Sequence, residues 1–213
     1  MDAPKNILKT GTTTIGIVCS DGIILAADKR ATAGNFIADR ETEKVVPIVD
    51  DIAITTAGVV SEIQRLVKLV RAELKLLEVR TNRKVTVKET ANLLTTMNYY
   101  GIRQMGEWAV TAFLVAGKDV NGFSLYDASP DGTIKKHDKF ISDGSGSLFA
   151  LPILESKWKK ELTVKDGARL AVEAINQAQL RDSASGSGFD VYAITNEGLK
   201  KIITKDLTVK AEM

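Results

Sequence analysis

Histidine is nearly absent from this sequence: His137 is the one copy in 213 residues. That excludes multi-histidine metal sites and makes any histidine-based catalytic triad depend on a single position. His137 lies in the polar stretch TIKKHDK, which reads as a turn or exposed strand, so a solvated surface histidine is expected. If the chain is an enzyme, its base is expected to be something other than imidazole. Cysteine is equally scarce. Cys19 alone excludes an internal disulfide framework and suits a reducing compartment, and its place in an apolar run reads as an inert buried thiol. Charge of either sign is not in excess, with 29 basic against 27 acidic residues and no basic block. Nothing there supports a nucleic-acid partner. No apolar run approaches a membrane span, and the opening MDAPKNILKTG lacks the apolar core of a signal peptide. It reads as a loose leader, and a cytoplasmic protein with no membrane contact is expected.

What is present suffices for one folded domain. Apolar residues make up 44% and charged residues 26% of the chain, enough for a core without metals or disulfides. TTTIGIVC and GIILAAD read as strands joined at Ser20-Asp21-Gly22, and EKVVPIV and IAITTA as a second pair joined at Asp50-Asp51. Residues 31–42 between the pairs read as a loop with a short strand. From Val59 the period becomes helical, with Ile63, Leu66, Val67, Val70, Leu74 and Leu77 on one face. T-V-K-E from Thr86 has capping-box form and opens a helix running to about Met105. Strands return with WAVTAFLVAG, FSLYDA, TIKK and KFIS, and a helix follows from about Gly146. Another helix opens at Thr163, with Ala168, Ala171, Val172, Ile175 and Ala178 on one face, and FDVYAIT and LKKIIT close the chain as a hairpin around residues 196–198. Strands, two helices, strands, two helices, strands is an α+β order. The strands are apolar on both faces, so two stacked sheets flanked by helix pairs fit best.

Chemistry centres on K-T-G-T-T-T-I-G-I. Three threonines opening a strand express β-propensity by themselves. Gly11 before them adds a permissive backbone and room for attack on its carbonyl, the arrangement an N→O acyl shift needs. Taken singly, Asp28 and Asp182 read as turn residues, Lys44 as a solvated strand-edge lysine, and SGSG and SASGSG as flexible loops.

In order and spacing, however, GTTTIGI, DGIILAADKRAT, EKVVPI, ITTAG, SDGSGS and RDSASGSGFDV resemble the β-type subunits of the proteasome, particularly the archaeal ones with short propeptides. The likeness runs from Thr12 to about Ile203. It implies a four-layer αββα sandwich of the N-terminal-nucleophile hydrolase kind, with residues 1–11 removed by self-cleavage and 12–213 as one domain. It also implies a threonine endopeptidase that needs no cofactor. Thr12 corresponds to the nucleophile, Asp28, Lys44, Ser145, Asp182 and Ser185 to its supporting residues, Gly58 to the oxyanion position, and Thr32 and Val60 to substrate-binding positions. The implied partners are other β subunits in a heptameric ring, stacked α-type rings, unfolded polypeptide substrates and a regulatory ATPase acting on the α ring. Two other readings stay open here: an unprocessed, structural β-type subunit, and another hydrolase of the same mechanism such as the simpler bacterial two-ring protease.

Three positions depart from the family pattern. Val60 stands where a smaller residue is usual and Thr56 where a larger apolar one is usual, so preference for bulky apolar residues does not carry over. Pro152 falls inside the helix after Ser145 and is expected to start, kink or shorten it.

Overall fold

The Ser20-Asp21 turn closes a hairpin between β1 (Thr14–Cys19) and β2 (Gly22–Asp28), in which Cys19 faces Gly22 and Thr14 faces Ala27. The computed structural model of the chain describes residues 11–207, so the leader expected at residues 1–10 lies outside the described residues. Segment 31–42 holds two short strands, β3 (Ala31–Ala33) and β4 (Phe36–Asp39), turning where Gly34 has φ +63. β5 (Val45–Val49) and β6 (Ile52–Gly58) follow, then α1 (Val60–Thr81) and α2 (Val87–Met105). The Thr86 capping box forms as expected, with reciprocal bonds between Thr86 and Glu89.

The third strand group begins later than its sequence indicates. Gly106 ends α2 at φ +61, and residues 106–109 form a 3-10 turn that leaves Trp108 exposed. β7 therefore spans Thr111–Asp119, followed by β8 (Gly122–Ala128), β9 (Ile134–His137) and β10 (Phe140–Asp143). α3 (Ser147–Lys157) runs five residues to either side of Pro152, so the proline neither starts nor truncates it. The ring removes the bond to the carbonyl of Leu148, a residue on the exposed face of the helix where solvent can take that role. α4 (Val164–Arg181) leads to the closing hairpin, β11 (Gly188–Thr195) and β12 (Gly198–Asp206).

Two antiparallel five-stranded sheets result, ordered β10-β1-β2-β11-β12 and β5-β6-β7-β8-β9. Alternation along the strands then builds three apolar layers. In β2, Ile24 and Ala26 face α3 and α4, while Ile23, Leu25 and Ala27 face the other sheet. In β7, Phe113 and Val115 face α1 and α2, while Leu114 and Ala116 meet the first sheet. Each such buried Leu, Ile or Phe contributes about 1.5–3 kcal/mol. The order is helices, sheet, sheet, helices, the expected αββα sandwich. No helix among the described residues is long and apolar enough to cross a membrane.

His137 departs from the expected solvated state. It sits opposite Leu125, whose side chain faces the layer between the sheets, and cross-strand neighbours share a face. The ring is half-buried and its Nε2 has no hydrogen-bond partner, so burial holds its pKa below the ordinary value, with Lys135 adding to the shift.

Candidate active site

Antiparallel pairing brings four chain ends to one edge of the sandwich. Residues 11–13 enter β1 there, β2 ends at Asp28, Lys44 precedes β5, and β6 ends at Gly58. The loop before α3 and the residues following α4 close over the same place, carrying Ser145 and residues 182–187.

Asp28 lies at its centre. It is 1% exposed, and its carboxylate accepts four donors, two on each oxygen. Thr13 N–H at 2.9 Å and Lys44 Nζ at 2.8 Å reach Oδ1, and the amides of Arg30 (3.1 Å) and Gly186 (2.9 Å) reach Oδ2. That fills the capacity of an ionised carboxylate and makes its burial tolerable. Lys44, 5% exposed, donates from the same Nζ to Thr12 Oγ1 at 2.8 Å. Burial pushes the Lys44 ammonium below the ordinary lysine pKa, and the opposing pull of Asp28 does not cancel that shift. Thr12 Oγ1 in turn donates to the carbonyl oxygen of Gly11 at 2.7 Å. A lysine, a hydroxyl and the carbonyl before it thus stand in one line.

A second network meets Thr12 from the other side. Its N–H donates to Ser145 Oγ at 3.3 Å, and the hydroxyls of Ser145 and Ser185 each donate to Asp182 Oδ2 at 2.6 Å. The amide of Ala184 donates to Asp182 Oδ1. Asp182 caps the C-terminal end of α4, so a helix end places the carboxylate and a tight turn presents its donors. Gly11 is held by its N–H on Thr32 Oγ1 at 3.2 Å. A Cβ at residue 11 would meet the Ala184 methyl at 1.9 Å and Ser145 Oγ at 2.8 Å, so the glycine is required by space. Gly58 is required by conformation, with φ +115 and Val110 O only 2.3 Å from any Cβ built there.

A cleft of about 460 Å³ opens beside Thr12, with Thr32, Lys44, Thr56, Gly58 and Val60 in its wall. Every site residue named from the sequence therefore lies in the two networks or in this wall. A second cavity, of about 520 Å³, lies at the opposite end of β6, among Asp50, Asp51, Lys84 and Asp119. The hydroxyl of its Thr86 is taken up by the capping box with Glu89, and its Lys84 and Asp51 are paired at 3.3 Å. Cys19 is buried and far from ionising, its thiol pushed up to about 12 by burial and then by Asp21.

Sequence reasoning missed Thr13 and the backbone amides of Arg30 and Gly186. Amide donors leave no trace in side-chain identity. Thr13 had a trace, as the second of three consecutive threonines after Gly11, but it is indistinguishable there from strand propensity.

The family described as "Proteasome subunit" matches residues 8–194 of this chain. "Proteasome subunit beta" of Archaeoglobus profundus is 45% identical over 190 residues, covering 88% of this chain and 86% of that one. The protein of the same description from Methanosarcina barkeri is 41% identical over 196 residues, 90% of both chains. That from Methanohalophilus mahii is 41% identical over 207 residues, 97% of this chain and 96% of the relative.

Proposed function

Because this chain belongs to the proteasome subunit family, we propose that it is a catalytic β subunit that cuts itself between Gly11 and Thr12 and then hydrolyses peptide bonds with Thr12. The carrying observation is the contact line itself: Lys44 Nζ at 2.8 Å from both Asp28 and Thr12 Oγ1, with that hydroxyl on the Gly11 carbonyl.

A threonine hydroxyl is a weak nucleophile until its proton is drawn away. Lys44 supplies positive charge beside Oγ1 and favours its deprotonated form, while Asp28 orients the lysine and balances its charge. In self-cleavage, Oγ1 attacks the Gly11 carbonyl carbon, the Gly11–Thr12 C–N bond breaks, and the hydroxyl proton ends on the released amine. Water then hydrolyses the Gly11 ester, freeing residues 1–11 as a carboxylate and restoring the hydroxyl.

The amine that emerges is the base for later turnovers. Its ordinary pKa of about 7.7–8.0 lies close to neutral pH, and a Thr paired with its own N-terminal amine is a recognised form of activated nucleophile. It accepts the Oγ1 proton as the substrate carbonyl is attacked and passes it to the leaving amine. Water completes the cycle. Ser145, Asp182 and Ser185 orient the amine, and the backbone N–H of Gly58 stabilises the oxyanion, an effect of about 3 kcal/mol per donor lost. Extended peptide lies along the cleft, with Thr32 bonding its backbone as it bonds Gly11, and Val60 and Thr56 lining the side-chain pocket.

The mature domain is residues 12–213. Its setting is a heptameric β ring stacked on α-type rings in the cytoplasm, taking unfolded polypeptide admitted by a regulatory ATPase at the α ring. Thr12→Ala removes the nucleophile for both reactions, so self-cleavage and peptide hydrolysis should vanish together in assembled particles. Full activity in that variant would show that another residue attacks.

A further inference from the structure

We infer that Thr13 is a positioning residue for the reaction, the clamp that locks the two networks around Thr12 to each other. The inference rests on the proposed catalytic reading. Thr13 is fully buried. Its N–H donates to Asp28 Oδ1 at 2.9 Å, and its hydroxyl lies 2.7 Å from Ser185 Oγ.

Proton counting fixes the direction of that second bond. Ser185 has one hydroxyl proton and gives it to Asp182 Oδ2 at 2.6 Å. Thr13 must therefore be the donor to Ser185. Ser145 also spends its proton on Asp182 Oδ2, so it can only accept from Thr12 N. The result is a polarised chain from the Thr13 hydroxyl through Ser185, Asp182 and Ser145 to the nitrogen of Thr12. On the other side, the Thr13 amide shares Asp28 Oδ1 with Lys44, whose Nζ reaches Thr12 Oγ1. One residue is thus fastened to the network that holds the nucleophile's oxygen, through Asp28, and to the network that holds its nitrogen, through Ser185.

Self-cleavage makes this fastening matter more. Before it, residue 12 is also tethered upstream by Gly11, which is bonded to Thr32 and wedged beneath Ala184. Afterwards the peptide bond to Thr13 is the sole covalent tie of Thr12, helped by the Gly146 N–H on the Thr12 carbonyl. Gly146 packs directly on the Thr13 hydroxyl, since a Cβ there would lie 1.9 Å from Thr13 Oγ1. Hydroxyl and methyl are similar in size, so Thr13→Val keeps the packing and deletes the bond. Ser185 then loses its donor while Thr12 keeps every atom of its own.

The test uses assembled particles in which Thr12 is exposed by a separately removed N-terminal fusion, so that self-cleavage is not a prerequisite. Thr13→Val should lower kcat about fivefold, the factor one neutral hydrogen bond is worth, with KM unchanged. Thr13→Ser, which retains the hydroxyl, should keep the wild-type kcat. Wild-type kcat in Thr13→Val would overturn the inference, as would equal slowing of both variants in step with a lowered melting temperature. Inactive wild-type particles would overturn the catalytic reading and this inference together, whereas active wild type beside an undisturbed Thr13→Val overturns the inference alone.

Discussion

At the scale of residues, the site is an exercise in burying charge without leaving it unmatched. Asp28 tolerates 1% exposure because four donors surround it. Lys44 is less well matched: one carboxylate and one hydroxyl serve a buried ammonium, and its pKa falls as a result. The unfolded chain therefore binds this proton more tightly than the folded one. By linkage, stability contributed here rises with pH across the interval from the lowered folded value up to the ordinary 10.5. Compared with Lys44→Met, which has no such proton, the wild-type melting temperature should gain ground as pH rises toward the ordinary 10.5. A gap that stays constant or moves against the wild type would contradict the lowered pKa. The same variant should assemble yet lose peptide hydrolysis by about 100-fold or more, the scale of a lost proton-transfer or charge contribution. Wild-type rates would refute the lysine's charge role.

At the scale of elements, the strand ends do the positioning, and Gly58 is the most exacting of them. β6 stops at Gly58 with φ +115, close against Val110, and this residue lies in the cleft wall before α1 begins. Gly58→Ala forces a side chain into the left-handed region, costing about 1–3 kcal/mol, and pushes it against Val110 O. The expected outcome is a lower melting temperature together with a severe loss of kcat. Unchanged activity would remove Gly58 from the oxyanion role. Most elements around it were legible from sequence because local chemistry decided them: Ser20-Asp21-Gly22 sets a hairpin, and T-V-K-E sets a helix start. Two were misread for the opposite reason. Trp108 and Ala109 look like strand, but Gly106 turns the backbone first. The Ala31–Asp39 hairpin is too short, at three and four residues, to leave a clear alternating pattern.

At the scale of the whole molecule, sheet order was beyond local reading. β2 lies between β1 and β11, strands separated by more than 150 residues of sequence, and no propensity encodes that neighbour. Two-faced apolar strands announced covered sheets, and the three buried layers supply the cover. The site was legible in another way, through the order of motifs that resemble one family. Singly, Lys44 or Asp182 is an ordinary polar residue. Folding makes them a site by bringing residues 11–13, 28, 44, 145 and 182–187 to one edge of the sandwich. The hydroxyls and amides that join those pieces, Thr13 above all, become visible only once that edge is assembled.

The central claim is that this geometry cuts its own chain to create the nucleophile's base. Intact mass and N-terminal sequencing of the subunit taken from assembled particles test it most directly. A chain that begins at Thr12 is the predicted result. A chain that still begins at Met1 or Asp2 in the assembled particle would contradict it and leave the subunit a structural member of its ring.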